Sequence, residues 1–245
     1  MKSLTVKNFF RVFKCPICRE PIKLGEEGDC GVFCSVCRAK WEIDRRKLCV
    51  SCGLSADLCR CVPELMRRSG VEALVKLCFY DADTGSPSDR LVLYLKDFRD
   101  KRVSSLPERE LSVLLRKYFE QNGIEPSRVV FTYAPRSLSN LDKKGFDQAK
   151  ILSLGCSKIL GAEFRNLVRR NRFSRSQKGL DSSRRVKNAR GAFRIKRNAE
   201  LHGETVVLID DVVTTGATLS AVSGLLKRAG AGQIICASIA LTATK

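Results

Sequence analysis

The chain has 245 residues, enough for one sizeable α/β core and a small accessory module. Its residues are 44% apolar and 29% charged, and the apolar runs are far too short to cross a bilayer, so membrane insertion is excluded and a cytoplasmic protein is expected. Lysine and arginine number 45 against 26 acidic residues, and the resulting +19 excludes a neutral surface: the chain needs a polyanion, whether nucleic acid, an anionic lipid surface or a densely phosphorylated small molecule.

In chain order, Met1 to Lys14 lacks the unbroken apolar stretch of a secretory signal, because Lys2, Lys7, Asn8 and Arg11 interrupt it. Val6, Phe9, Phe10 and Phe13 mark one face of a short helix. A cysteine-rich module follows, with nine of the twelve cysteines lying before residue 62. In a reducing compartment such clustering signals metal rather than disulfides. Cys15 with Cys18 and Cys34 with Cys37 form C-x2-C pairs fifteen residues apart, a spacing that presents four thiolates to one tetrahedral zinc. Cys49 and Cys52, then Cys59 and Cys61, are candidates for a second zinc, although the closing C-x-C is a less usual ligand spacing. Cys30 has no partner by spacing. Four thiolates leave no open coordination position, so the zinc should be structural, and their formal surplus of two negative charges absorbs part of the basic excess around them. Trp41 is read as the small core beside the metal, the alternative being an exposed stacking face for nucleic acid. These features place a module at 1–65 and a second domain at 66–245.

Beyond residue 65 strand and helix patterns alternate. Val71 to Tyr80 reads as a strand, Asp81 to Asp89 as a polar loop and Leu91 to Phe98 as a short helix. Ser105, Pro107 and Glu108 resemble a capping box that opens a helix running through Leu111, Leu114, Leu115, Tyr118 and Phe119 to Gly123. Val129 to Ala134 is a buried strand, Phe146 to Leu160 a helix, Phe164 to Val168 a short strand and Thr205 to Ile209 another. Ala217 to Ala229 is a helix closed by Gly230, and Ile234 to Leu241 a last strand. The alternation predicts an α/β fold, a parallel sheet flanked by helices, with ligands at the carboxyl ends of the strands.

The most informative stretch is Val206 to Thr218. An apolar strand leads to Asp210 and Asp211, which are expected where it leaves the sheet, and then to Thr214, Thr215, Gly216, Ala217 and Thr218 at the start of a helix. Hydroxyls, backbone amides and the helix dipole there suit a phosphate, and the acids ahead of it suit sugar hydroxyls. No Walker lysine follows and no G-x-G-x-x-G is present, so a phosphorylated ribose is expected rather than a nucleoside triphosphate or a dinucleotide. Residues 165 to 197 carry thirteen lysines and arginines against one acid, Asp181, which reads as a mobile loop closing on pyrophosphate, a nucleic-acid contact or a solvated segment. His202, the only histidine, is read as an ordinary surface residue, and no general base stands out.

VVLIDDVVTTGAT resembles the phosphoribosyl pyrophosphate motif of type I phosphoribosyltransferases. Pro135 and Arg136, then Lys144, Gly145, Phe146, Asp147 and Gln148, resemble the P-x-x-x-R and R-G-F-N-Q segments of the ComF family, with Lys144 in place of arginine and Asp147 in place of asparagine. Gln177, Leu180, Arg185, Asn188, Gly191, Ala192 and Phe193 are similar to its second signature. The resemblance implies phosphoribosyl pyrophosphate bound with Mg2+, Asp210 and Asp211 on the ribose hydroxyls, Thr214 to Thr218 on the ring-side phosphate, and Arg136 on the leaving group. It further implies natural transformation as the setting, with single-stranded DNA and a DNA-uptake helicase as partners. A second reading stays open at this stage: a single-stranded DNA binding factor whose phosphoribosyl site is regulatory or vestigial.

Overall fold

The computed structural model describes residues 13–22, 31–80, 85–171, 191–197 and 199–242. The helical face expected of Val6, Phe9 and Phe10, the lone Cys30, and residues 172–190 of the basic run, with Gln177, Leu180, Arg185 and Asn188, lie outside them.

Five strands form one sheet in the order β1-β7-β6-β2-β3, every neighbouring pair parallel. They are β1 (Ala73–Tyr80), β2 (Val129–Tyr133), β3 (Glu163–Phe164), β6 (Thr205–Val213) and β7 (Gln233–Thr242). The short strands β4 (Val168–Arg170) and β5 (Phe193–Ile195) pair antiparallel beside it. The helices are α1 (Ser35–Arg45), α2 (Glu64–Arg67), α3 (Pro87–Asp97), α4 (Lys101–Gln121), α5 (Leu138–Lys144), α6 (Gln148–Leu160) and α7 (Ala217–Arg228). Alternating strand residues serve opposite faces, as the period of two requires. Val207, Ile209, Ile235 and Ala237 join one core with residues of α3, α4 and α6. Val206, Leu208, Ile234 and Cys236 join another with residues of α2, α7, β4 and β5.

Several boundaries differ from the sequence reading, each for a local reason. Helix α3 starts at Pro87 rather than Leu91, because Ser86 caps it through Asp89 N–H and proline suits the first helical position. Helix α4 starts at Lys101, where Asp100 accepts the N–H groups of Arg102 at 2.9 Å and Val103 at 3.3 Å. The capping-box residues at Ser105 therefore lie inside it, and Pro107 is tolerated because Val103, Leu106, Leu111, Leu114 and Leu115 bury a continuous face. Asp147 caps α6, which leaves Phe146 outside the helix. The strand expected over Phe164 to Val168 is split between the main sheet and the small ribbon. Most consequential, β6 continues past Ile209 to Val213, with Asp210 opposite Ser238 and Val213 opposite Leu241.

The cysteine region packs onto this core. Phe33 and Trp41 meet edge to face at 5.9 Å, are fully buried and belong to the same apolar cluster as Val75, Leu77 and Ile209. Trp41 is therefore core, as read. Polar links run beside it: Asp44, 4% exposed, accepts the N–H of Ser88 at 2.9 Å, Arg90 donates to Ile17 O at 3.0 Å, and Arg102 donates to Gly31 O at 3.0 Å.

Candidate functional site

The chain leaves β2 toward β3 on one side and β6 toward β7 on the other, and in open α/β sheets the crevice that takes a ligand lies at such a switch point, here between the carboxyl ends of β2 and β6. The expected acids and arginine converge there. Arg136, three residues past β2, donates to Asp211 Oδ2 at 2.6 Å, and each side chain is 16% exposed. Asp210 and Asp211 are strand residues rather than the start of a loop, because backbone pairing with β7 continues through them. Strand pairing fixes their backbone, so both carboxylates are held in place before a ligand arrives. Burial first, and the charge of Asp211 second, push the Asp210 carboxyl well above the usual carboxylate range.

Asp147 belongs to this group. Its carboxylate accepts the backbone N–H of Arg136 at 2.9 Å and that of Lys150 at 3.4 Å, while burial pushes its proton affinity up. An aspartate here does what asparagine would do, since both cap a helix through an acceptor oxygen. Lys144 ends α5 and pairs with Asp97 at 2.6 Å, outside the crevice group. Arg170 of β4 feels the charge of Asp210, although burial pulls its guanidinium down. It is one basic residue in a run of thirteen, and its sequence neighbourhood does not single it out.

The turn beyond β6 has the expected form. Thr214 is exposed, Thr215 and Thr218 are half-buried, and Gly216 and Ala217 are buried. Gly216 stands at the N-cap of α7 with φ +73 and contributes no side-chain cap; Ala217 N–H donates to Thr215 Oγ1 at 3.4 Å, and the next amides of the first turn suit an anion. A second demand falls on it: a Cβ there would lie 2.7 Å from Cγ and Sδ of Met66. His202 is exposed, as read.

The cysteines assemble as spaced. The sulfurs of Cys15, Cys18, Cys34 and Cys37 lie within 4.8 Å of one another, and so do those of Cys49, Cys52, Cys59 and Cys61. Zinc-thiolate bonds of about 2.3 Å imply tetrahedral edges of about 3.8 Å. The Cys18 to Cys34 sulfur separation of 3.7 Å fits that edge. Burial opposes ionisation of Cys15 and Cys49, yet backbone N–H donors outweigh it, lowering Cys15 and bringing Cys49 down to about 7. Burial and neighbouring thiols push Cys37 up, and push Cys61 up to about 12. Four thiols this close cannot all ionise without a cation, so both donor sets suit zinc. Fully buried Lys76 donates to Cys59 O at 2.9 Å. It places a cation beside the second cluster that its apolar strand context does not announce.

Residues 142–245 match the phosphoribosyl transferase domain family. A parallel sheet flanked by helices, with acids and a threonine-glycine turn at its carboxyl edge, is the type I phosphoribosyltransferase fold. DNA utilization protein YhgH of Escherichia coli K12 is 30% identical over 224 residues, covering 90% of this chain and 93% of that protein. Competence protein F of Haemophilus influenzae is 36% identical over 95 residues, 38% of this chain and 41% of the relative. The chain belongs to the ComF family. Among solved structures, purine phosphoribosyltransferase from Pyrococcus horikoshii Ot3 shares 23% identity, covering 58% of this chain and 77% of that one, at a TM-score of 0.36. Among the described residues no helix is long and apolar enough to cross a membrane.

Proposed function

We propose that the crevice binds phosphoribosyl pyrophosphate with Mg2+ and supports phosphoribosyl transfer to an acceptor. The observation that carries this reading is the convergence of Arg136, Asp210 and Asp211, from two strand ends, beside a helix start capped by Gly216. Asp210 and Asp211 accept hydrogen bonds from the ribose hydroxyls. Thr214, Thr215, Gly216, Ala217 and Thr218 hold the ring-side phosphate through hydroxyls and amides. Arg136 exchanges its bond to Asp211 for the departing pyrophosphate. Mg2+ would neutralise pyrophosphate oxygens as the glycosidic bond breaks. A displacement with oxocarbenium character needs positioning and charge stabilisation more than a base. The eight clustered cysteines hold two structural zinc ions, which suits a reducing, cytoplasmic setting. Calorimetry with phosphoribosyl pyrophosphate and Mg2+ tests the site: the wild type binds, and the variant carrying Asp210→Asn with Asp211→Asn loses at least tenfold in affinity. Absent wild-type binding, or unchanged binding by the variant, refutes the assignment.

A second activity is favoured by the charge of +19 and by relatives named for DNA utilization and competence. In this reading the protein also holds single-stranded DNA, alongside a DNA-uptake helicase. Binding to an oligonucleotide should weaken with salt along a slope of about −0.7 per phosphate contacted. Affinity independent of salt would remove this second reading.

A further inference from the structure

The two cysteine clusters occupy different places. Cys15 and Cys37 of the first belong to the apolar core on one face of the sheet. Cys49 and Cys59 of the second pack with Phe79 near the end of β1 and Leu241 near the end of β7. Leu241 pairs with Val213, the last residue of β6, so the second cluster sits at the carboxyl edge beside the phosphate turn. Its connection to that turn is short. Cys61 is followed by Val62 and then by Pro63, which caps α2. Met66 of α2 is fully buried, and its Cγ and Sδ reach 2.7 Å from the Cβ position of Gly216. Pro63 Cβ lies 3.7 Å from the same point. Ser220, in the first turn of α7, donates its hydroxyl to Leu65 O at 3.0 Å and its N–H to Gly216 O at 2.8 Å. On the other side the cluster is tied to β1, with Lys76 donating to Cys59 O and the N–H of Leu74 donating to Arg60 O at 3.5 Å.

We propose that the second cysteine cluster, through Met66 and the Leu65 to Ser220 hydrogen bond, is a metal-dependent buttress that positions the phosphate turn. Met66 is a positioning residue: it touches Gly216, which in turn frames the anion site. A four-residue helix such as α2 does not hold its own geometry. It needs an anchor at each end, and the metal cluster supplies the one before Pro63. Loss of that metal would release α2, remove the packing against Gly216 and let the first turn of α7 open. The effect on phosphate affinity rests on the phosphoribosyl reading above; the effect on the turn does not.

The test separates the two. Metal content is counted in the full chain, and amide hydrogen exchange is followed without ligand over residues 214–220, with α4 as internal reference. The Cys52→Ser, Cys61→Ser double variant should lose one of two zinc ions and exchange at 214–220 at least tenfold faster, while α4 is unchanged. Its affinity for phosphoribosyl pyrophosphate should fall at least tenfold. Met66→Ala, retaining both ions, should give the same local acceleration, and Met66→Leu should largely restore protection. If the double variant also loses protection in α4, Met66→Ala decides the question. Wild-type protein lacking a second zinc, or unaltered exchange at 214–220 in either the double variant or Met66→Ala, would overturn the proposal. Accelerated exchange with no wild-type binding of phosphoribosyl pyrophosphate would uphold the buttress and reject the ligand.

Discussion

Asp210 shows most directly how the site departs from what stability alone would select. Its carboxyl is crowded by Asp211 and Asp147, faced by Arg170, and pushed well above the usual range chiefly by burial. In the unfolded chain the same group titrates near about 3.9. Between that pH and its raised folded value the native state binds more protons than the unfolded one, so the group makes stability fall as pH rises. Asp210→Asn keeps the acceptor oxygen that receives the Asp211 N–H at 2.9 Å and removes the titration. The variant should match the wild type in urea melts below about pH 4. It should then become progressively more stable than the wild type as pH rises to neutrality. A wild type that is equally stable or more stable than the variant at pH 7 contradicts this account. A stability gain coupled to loss of ligand binding is the expected sign of a carboxylate kept for function.

Elements show what the amino-acid pattern reveals and what it hides. Asp100 is the cap of α4, with two backbone donors and the Tyr94 hydroxyl at 3.0 Å, whereas Ser105 bonds Arg102 O inside the helix. Asp100→Ala should lower stability by about 1 to 2 kcal/mol. Ser105→Ala should change it by less than about 0.5 kcal/mol. Comparable losses in the two variants would mean that the helix starts where the capping box suggested. The box misleads because Pro107 reads as a first-turn residue, and the apolar face that carries the helix through it becomes visible only when the sheet is in place. The two cysteine quartets are legible because a C-x2-C turn is local and its chemistry is carried by residue type. The extension of β6 through Asp210 and Asp211 is not, since backbone pairing with β7 is indifferent to acidic side chains. Nor is the Arg136 to Asp211 contact available from spacing, being made across 75 positions. The resemblance to a motif brings both residues forward, while only the fold brings them together. Lys76 is hidden altogether, because a lysine within an apolar strand looks like an interruption until Cys59 O is seen against it.

At the scale of the molecule, composition divides the chain near residue 65, but packing crosses that line. We propose that the division is one of composition only, with a single folding unit spanning it. Cys15, Phe33, Cys37 and Trp41 are buried in one cluster with Val75, Leu77, Leu106, Val207 and Ile209, so removing the cysteine region would expose a face of the parallel sheet. Structural zinc in small modules supplies about 10 to 16 kcal/mol of apparent folding free energy. Chelation should therefore destabilise both regions together. Trp41, the single tryptophan, reports on the first, and far-ultraviolet circular dichroism reports mainly on the second. After chelation both signals should melt at one common, lower temperature, with Trp41 emission shifting to the red in the same transition as the loss of helix. A Trp41 transition that moves down alone, leaving the circular dichroism melt where it was, would show that the cysteine region folds as an independent domain. Coincident melting would instead mean that the shared core couples metal at the first cluster to the sheet that presents Asp210 and Asp211, whereas the second cluster, packed outside that core against Phe79 and Leu241, acts on the turn alone.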